Sequence, residues 1–247
     1  MIEVIKLSHS FNSHTTVNKI SFTLNEGSIL GLVGPKGAGK TTTIKMLTTL
    51  LPPTSGTARI LGYDLMQNPA QIRQNIGYYP QLHSADEKIS GFENLLDAAR
   101  IYGIPYHEQE HRINELLDFM DLNDCADQAV HHYSDEMIRR LEIACAIIHR
   151  PKVLFLDEPT IGLDLTEHKN LMILIEAMNK HFGMTIVVAT HDLEEVDQFC
   201  NFMAVMHQGQ IVAMDSPKKL KKALGPYATL GDVFTHYTNV SLKTACP

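Results

Sequence analysis

The chain has 247 residues, 44% of them hydrophobic and 20% charged, with a net charge of −7; it is long enough for one large core, or a core plus a subdomain, and ordinary for a soluble domain. The acidic balance argues against a nucleic-acid binder, which carries a basic face, so no nucleic-acid partner is expected. Four cysteines without C-x-x-C spacing read as reduced thiols. No apolar run approaches the roughly 18–20 residues that cross a bilayer, and Met1-Ile2-Glu3-Val4 does not open a signal peptide, so any membrane crossing is expected from another polypeptide.

In chain order, residues 2–7 and 17–24 are β-rich and alternate, and 28–33 is an apolar run of strand length. Residues 43–47 begin a helical pattern, and Pro52-Pro53-Thr54-Ser55-Gly56 reads as the turn after it. Residues 57–61 and 76–79 resemble short strands. From about 89 to 150 the period is helical: Ile113, Leu116, Leu117 and Met120 repeat at i, i+3, i+4, i+7, as do Leu141, Ala144, Cys145 and Ile148. Strands return at 153–156 and 185–189. Between them lies an amphipathic helix burying Leu171, Leu174, Ile175 and Met178. The pattern predicts one α/β core interrupted by an all-helical insertion.

Gly34-Pro35-Lys36-Gly37-Ala38-Gly39-Lys40-Thr41-Thr42 fits the phosphate-cradling pattern G-x-x-x-x-G-K-[ST] without a gap. Glycines let backbone N–H groups approach an anion. Lys40 would reach the β- and γ-phosphates, and the Thr41 hydroxyl would bind Mg²⁺. The preceding strand and following helix are the setting this loop needs, with the helix N-terminus facing the phosphates. A second constellation, Val153-Leu154-Phe155-Leu156-Asp157-Glu158, ends a buried strand in two acids at the carboxyl edge of the sheet. Asp157 would hold Mg²⁺, usually through water, and Glu158 would polarise the attacking water.

With these motifs the sequence resembles the ATP-binding-cassette (ABC) ATPases over nearly its whole length. Gln81, in Gly77-Tyr78-Tyr79-Pro80-Gln81, sits where that family has its Q-loop glutamine; the resemblance places it with Mg²⁺ and the reacting water. Gly162-Leu163-Asp164 follows Asp157-Glu158-Pro159 as the D-loop does, and Thr190-His191-Asp192 ends the next strand as the switch histidine does. Phe11 sits where the family places an aromatic that stacks on adenine. The end Thr229-Leu230-Gly231-Asp232-Val233-Phe234 looks closest to drug-export ATP-binding subunits of the daunorubicin-resistance type.

The resemblance implies a P-loop NTPase core of the ABC ATPase type with an antiparallel β subdomain (residues 1–88 and 151–215), a helical signature subdomain (89–150) and a C-terminal helical extension (216–247). It also implies ATP and Mg²⁺, a second ABC ATPase subunit of the same or a different chain, and an integral membrane permease subunit. The protein would sit peripherally at the cytoplasmic face of a membrane and energise export of a drug-like or lipophilic compound. DNA-repair and translation-factor members of the wider family typically carry coiled-coil insertions or two fused cassettes; this chain has neither.

One stretch departs from the family. The signature motif usually reads serine-glycine-glycine at the start of a helix, and here it is Ser134-Asp135-Glu136. Ser134 is a good N-cap, and two acids in the first turn suit the helix dipole. The same carboxylates would oppose a γ-phosphate: like charges about 4 Å apart cost on the order of 4 kcal/mol at an effective dielectric near 20. The expectation is a weakened site for the opposite subunit's ATP, with an asymmetric or regulatory nucleotide-binding subunit as the alternative.

Two other features compete. His107-Glu108-Gln109-Glu110-His111 fits the zinc-peptidase pattern H-E-x-x-H, with no third ligand obvious nearby. Lys218-Lys219-Leu220-Lys221-Lys222 reads as a solvated helix face.

Overall fold

The computed structural model describes residues 1–12, 14–82 and 84–239. The end of the expected C-terminal extension, 240–247 with Cys246, lies outside the described residues. The chain opens with β1 (Ile2–Phe11) and β2 (His14–Leu24), then enters β3 (Ile29–Val33) and α1 (Lys40–Leu47). It returns through β4 (Ser55–Ile60) and β5 (Tyr63–Asp64), and α2 (Pro69–Asn75) leads into β6 (Ile76–Tyr79). Three helices follow: α3 (Gly91–Ile101), α4 (Tyr106–Phe119) and α5 (Asp135–Ile147). The rest alternates as β7 (Val153–Asp157), α6 (Leu165–Phe182), β8 (Thr185–Thr190), α7 (Leu193–Phe199), β9 (Phe202–His207) and β10 (Gln210–Asp215), before α8 (Pro217–Leu224) and α9 (Leu230–Thr238).

These strands form two sheets. One is antiparallel, in the order β2-β1-β4-β5; the other runs β10-β9-β3-β8-β7-β6 and is parallel except for β10. The expected α/β architecture with an antiparallel β layer and a helical region is therefore present. No helix among the described residues is long and apolar enough to cross a membrane.

Period-two alternation explains how the parallel sheet is buried on both faces. In β7, Val153 and Phe155 point into a core shared with Ile44 and Leu47 of α1 and with Val17, Ile20, Ala58 and Ile60 of the antiparallel sheet. Leu154 and Leu156 point the other way, into a core with Leu141 and Ala144 of α5 and Leu171 and Ile175 of α6. β8 divides likewise, Val187 and Ala189 against Ile186 and Val188. A third cluster seats α8 and α9 on β9 through Leu220, Val233, Phe234, Met203 and Val205.

Helix ends follow local chemistry. Ser90 and Asp164 cap α3 and α6 in reciprocal capping boxes with Glu93 and Glu167, and Gly183 ends α6 in the left-handed region. Several elements exceed the sequence expectation. β1 and β2 extend to Phe11 and back to His14. Ser55 and Gly56, expected in a turn, begin β4, and Leu61, expected in the strand, turns out of it with φ 53°. Ser8 pairs with Ser55, and Ser10 with Thr15; ladder pairing recruits polar residues that carry no alternation signal of their own.

One close approach fixes how the helical region meets the sheet. Gly77 of β6 lies so near α5 that an added Cβ would collide with the carbonyl oxygen of Ala146 and press on the Leu154 side chain. Gly77→Ala should therefore destabilise the protein by about 1–3 kcal/mol through overpacking, read as a lower urea midpoint at unchanged slope.

Candidate functional site

The site is assembled at the carboxyl edge of the parallel sheet. β3 delivers the loop 34–39 to the start of α1. The N-cap of that helix is Gly39, with φ 104°, no side-chain cap and no acid in the first turn. A serine or aspartate there would occupy the free N–H groups of the first turn; glycine leaves them for an anion. The position also tolerates no side chain, since a Cβ would stand 2.7 Å from the Thr16 carbonyl oxygen. The turn between β9 and β10 supports the loop from behind, where the Gly209 N–H donates to the Ala38 carbonyl at 3.1 Å.

Lys40 is buried, and its ammonium donates to the Gly34 carbonyl at 2.6 Å and lies 3.3 Å from Glu158 Oε1. Thr41 Oγ1 donates to Asp157 Oδ1 at 3.0 Å. Asp157 is fully buried, and its Oδ2 has no hydrogen-bond partner among the described residues. Burial holds its carboxyl above the ordinary range; the Thr41 hydroxyl pulls it down and the Glu158 charge pushes it up. An orphaned, buried carboxylate oxygen beside a hydroxyl is a hard-oxygen donor set that fits Mg²⁺.

Glu158 follows immediately, with φ 52°, a left-handed conformation costing about 1–3 kcal/mol for a non-glycine residue. Its N–H donates to the Ala189 carbonyl at 2.9 Å. This backbone turn sends its carboxylate toward Lys40 on one side and His191 on the other, where Nδ1 lies 2.7 Å from Oε2.

A cavity of about 380 Å³ covers this cluster. Lys36, Gly37, Ala38, Gly39, Lys40, Thr41, Thr42, Gln81, Glu158 and His191 line it, and Thr16 and Ile161 join them. Gly34 and Pro35 do not line it; Gly34 offers its carbonyl to Lys40 from behind. Neither Thr16 nor Ile161 carries a sequence signal: Thr16 arrives through the register of β2, and Ile161 through the turn after Glu158.

Besides Gly34 and Pro35, the expected metal ligand Asp157 lies outside the cavity lining, as do Phe11, Ser134 and Asp164. Phe11 is half-exposed at the end of β1, edge-on to His9 with ring centroids 4.4 Å apart. Ser134 caps α5, accepting from the Met137 N–H, and Asp164 caps α6, accepting from Thr166 and Glu167. Of the two acids after Ser134, Glu136 folds back along its helix to Arg140, 2.5 Å away. Asp135 is exposed and has no ion pair among the described residues. The H-E-x-x-H histidines, His107 and His111, are exposed, and Glu108 pairs instead with Arg112 at 3.1 Å.

Sequence reasoning missed two buried charged residues on α5. Arg139 donates to the Tyr79 hydroxyl and, at 3.0 Å, to the Ile161 carbonyl. Glu142 accepts from the Ser84 N–H and, at 3.1 Å, from the Ala85 N–H. Together they tie the segment beside Gln81 and the turn after Glu158 to one helix. The available signal was charge at positions that helical periodicity assigns to a buried face.

The chain is similar to known proteins over most of its length. The sequence profile of the family described as ABC transporter matches residues 17–161. The daunorubicin/doxorubicin resistance ATP-binding protein DrrA of Streptomyces peucetius is 38% identical over 91% of this chain and 68% of its own length. The linearmycin resistance ATP-binding protein LnrL of Bacillus subtilis (strain 168) is 32% identical over 91% of this chain and 72% of its own. A solved structure described as the ATP-binding subunit of an ABC transporter superposes with a TM-score of 0.84 at 28% identity, covering 96% of this chain and 99% of that one. With its phosphate loop, acid pair and histidine set in that shared fold, the chain belongs to the ABC transporter family, as an ATP-binding subunit similar to the drug-resistance proteins.

Proposed function

We propose that this chain binds ATP in the cavity over α1 and hydrolyses it, driving a separate membrane-spanning subunit that exports a drug-like or lipophilic compound. The observation that carries the reading is the placing of the Glu158 carboxylate between Lys40 and His191, directly beside an uncapped helix N-terminus. ATP would lay its phosphates in loop 34–42, with backbone N–H groups on the oxygens and the Lys40 ammonium on the β- and γ-phosphates. Lys40 would exchange its carbonyl contacts for phosphate oxygens, freeing Glu158 to accept a hydrogen bond from the attacking water. His191 holds Glu158 in position. Thr41, Asp157 and Gln81 would hold Mg²⁺, whose charge offsets that of the phosphates when it is bound.

Family membership and the resistance functions of the relatives support peripheral attachment at the cytoplasmic face, a permease partner and a second ATPase subunit. In that arrangement residues 89–150 act as the moving signature subdomain. Ser134 and Asp164 would complete the partner's site, and Phe11 would reach adenine at the rim.

The acidic first turn of α5 favours a second feature, a weakened composite site. Pairing with Arg140 neutralises Glu136, so Asp135 carries the remaining repulsion. Its cost at about 4 Å is about 1 kcal/mol in water and about 4 at an effective dielectric of 20.

Glu158→Gln should lower steady-state Mg-ATPase activity of the purified chain by at least about 10²-fold while leaving ATP binding in place. Activity persisting in that variant would remove Glu158 from the reaction. Asp135→Gly/Glu136→Gly should raise turnover of the purified chain, by about tenfold for each 1.4 kcal/mol of repulsion relieved. Unchanged turnover would assign the acids no role in the composite site.

A further inference from the structure

Away from the nucleotide cavity, His168, Asp192 and Glu195 converge where the first turn of α6 meets the first turn of α7. Their candidate ligand atoms all lie within 4.8 Å of one another. The Glu195 side chain is fully enclosed. Its Oε1 meets His168 Nε2 at 2.6 Å and the Thr160 hydroxyl at 2.5 Å, while its Oε2 is buried with no hydrogen-bond partner among the described residues. Asp192 uses Oδ1 to cap α7, accepting from Glu194 at 2.7 Å and Glu195 at 3.3 Å. Its Oδ2 lies 3.5 Å from the same His168 nitrogen. No lysine or arginine among the described residues pairs with either carboxylate. The cluster is reachable from solvent, with His168 22% and Asp192 39% exposed.

We propose that His168, Asp192 and Glu195 form a binding site for a first-row divalent cation, zinc being the best match to one imidazole nitrogen and two carboxylates. Two acids that share one imidazole, with the enclosed Glu195 Oε2 accepting no hydrogen bond among the described residues, are short of positive charge. Burial pushes the Glu195 carboxyl up and the Asp192 charge adds to this, against the pull of the Thr160 and Thr190 hydroxyls and of His168. A divalent ion competes with protons for these three ligands, so affinity rises with pH. The imidazole donor separates this site from the all-oxygen set at Thr41 and Asp157, which suits Mg²⁺. Occupancy clamps α6 to α7 at the turns that directly follow Asp164 and His191.

The test is titration of the EDTA-stripped full chain with Zn²⁺ alone against a chromophoric chelator, below and above neutrality, with thermal unfolding read in parallel. The wild type should bind one Zn²⁺ through this cluster, more tightly at the higher pH, and gain thermal stability. His168→Gln should weaken binding at least tenfold and lose the thermal gain. Asp192→Asn, which keeps the capping oxygen, should weaken it in the same direction. A His107→Gln/His111→Gln variant should bind as the wild type does. The proposal is overturned if the wild type takes up no Zn²⁺, if His168→Gln and Asp192→Asn bind unchanged, or if it is the change in α4 that abolishes binding.

Discussion

The contact between Thr41 and Asp157 is the constraint around which the rest of the structure is arranged. It joins the first turn of α1 to the end of β7, and it does so with a carboxylate that is fully buried and only half satisfied. A charged group in that state is costly unless something compensates it. The surrounding fold bears that cost. Phe155 and Leu156 anchor β7 in opposite cores immediately before the acid. Gly39 leaves α1 uncapped, so the positive end of the helix lies open beside the pair. Lys40 is held between loop carbonyls and Glu158. Each arrangement is unfavourable alone, and together they leave a concentrated demand for phosphate and a hard cation.

The same logic extends outward through α5. A helix that buries Leu141, Ile143 and Ala144 has no packing need for buried Arg139 and Glu142 on the same element. Their partners are backbone and hydroxyl groups of the two segments that flank the cavity, at Tyr79, Ser84 and Ala85 on one side and Ile161 on the other. Each contact gives a buried charge a hydrogen bond while tying a cavity-flanking segment to α5. Both flanks of the cavity are therefore tied to the same helix.

Much of this was legible in the sequence because it rests on local chemistry. The phosphate loop must be glycine-rich and must follow a strand. The acid pair must end an apolar run. His191, by contrast, is placed only by the resemblance to the family's switch histidine. Period-two runs such as 153–156 assign faces without any knowledge of partners. What could not be read depends on register between distant segments. Thr16 reaches the cavity because β1 and β2 pair as they do, and Ile161 because Glu158 adopts a positive φ that its sequence does not announce. Glu136 is a different case: its i,i+4 spacing to Arg140 is local and legible, but the rotamer choice that forms the pair is not.

That choice changes how the acidic first turn of α5 should be understood. Two glycines at those positions would expose bare N–H groups, the same device Gly39 supplies at α1. Ser134 caps α5 by accepting from the Met137 N–H, and Asp135 and Glu136 add negative charge to its first turn. The chain thus contains one helix start built for a foreign anion and one built for itself. An anion meeting α5 must displace an internal cap and face Asp135, whereas one meeting α1 displaces only the lysine's carbonyl contacts. The difference between the two helix starts is set within a single chain, before any partner is considered.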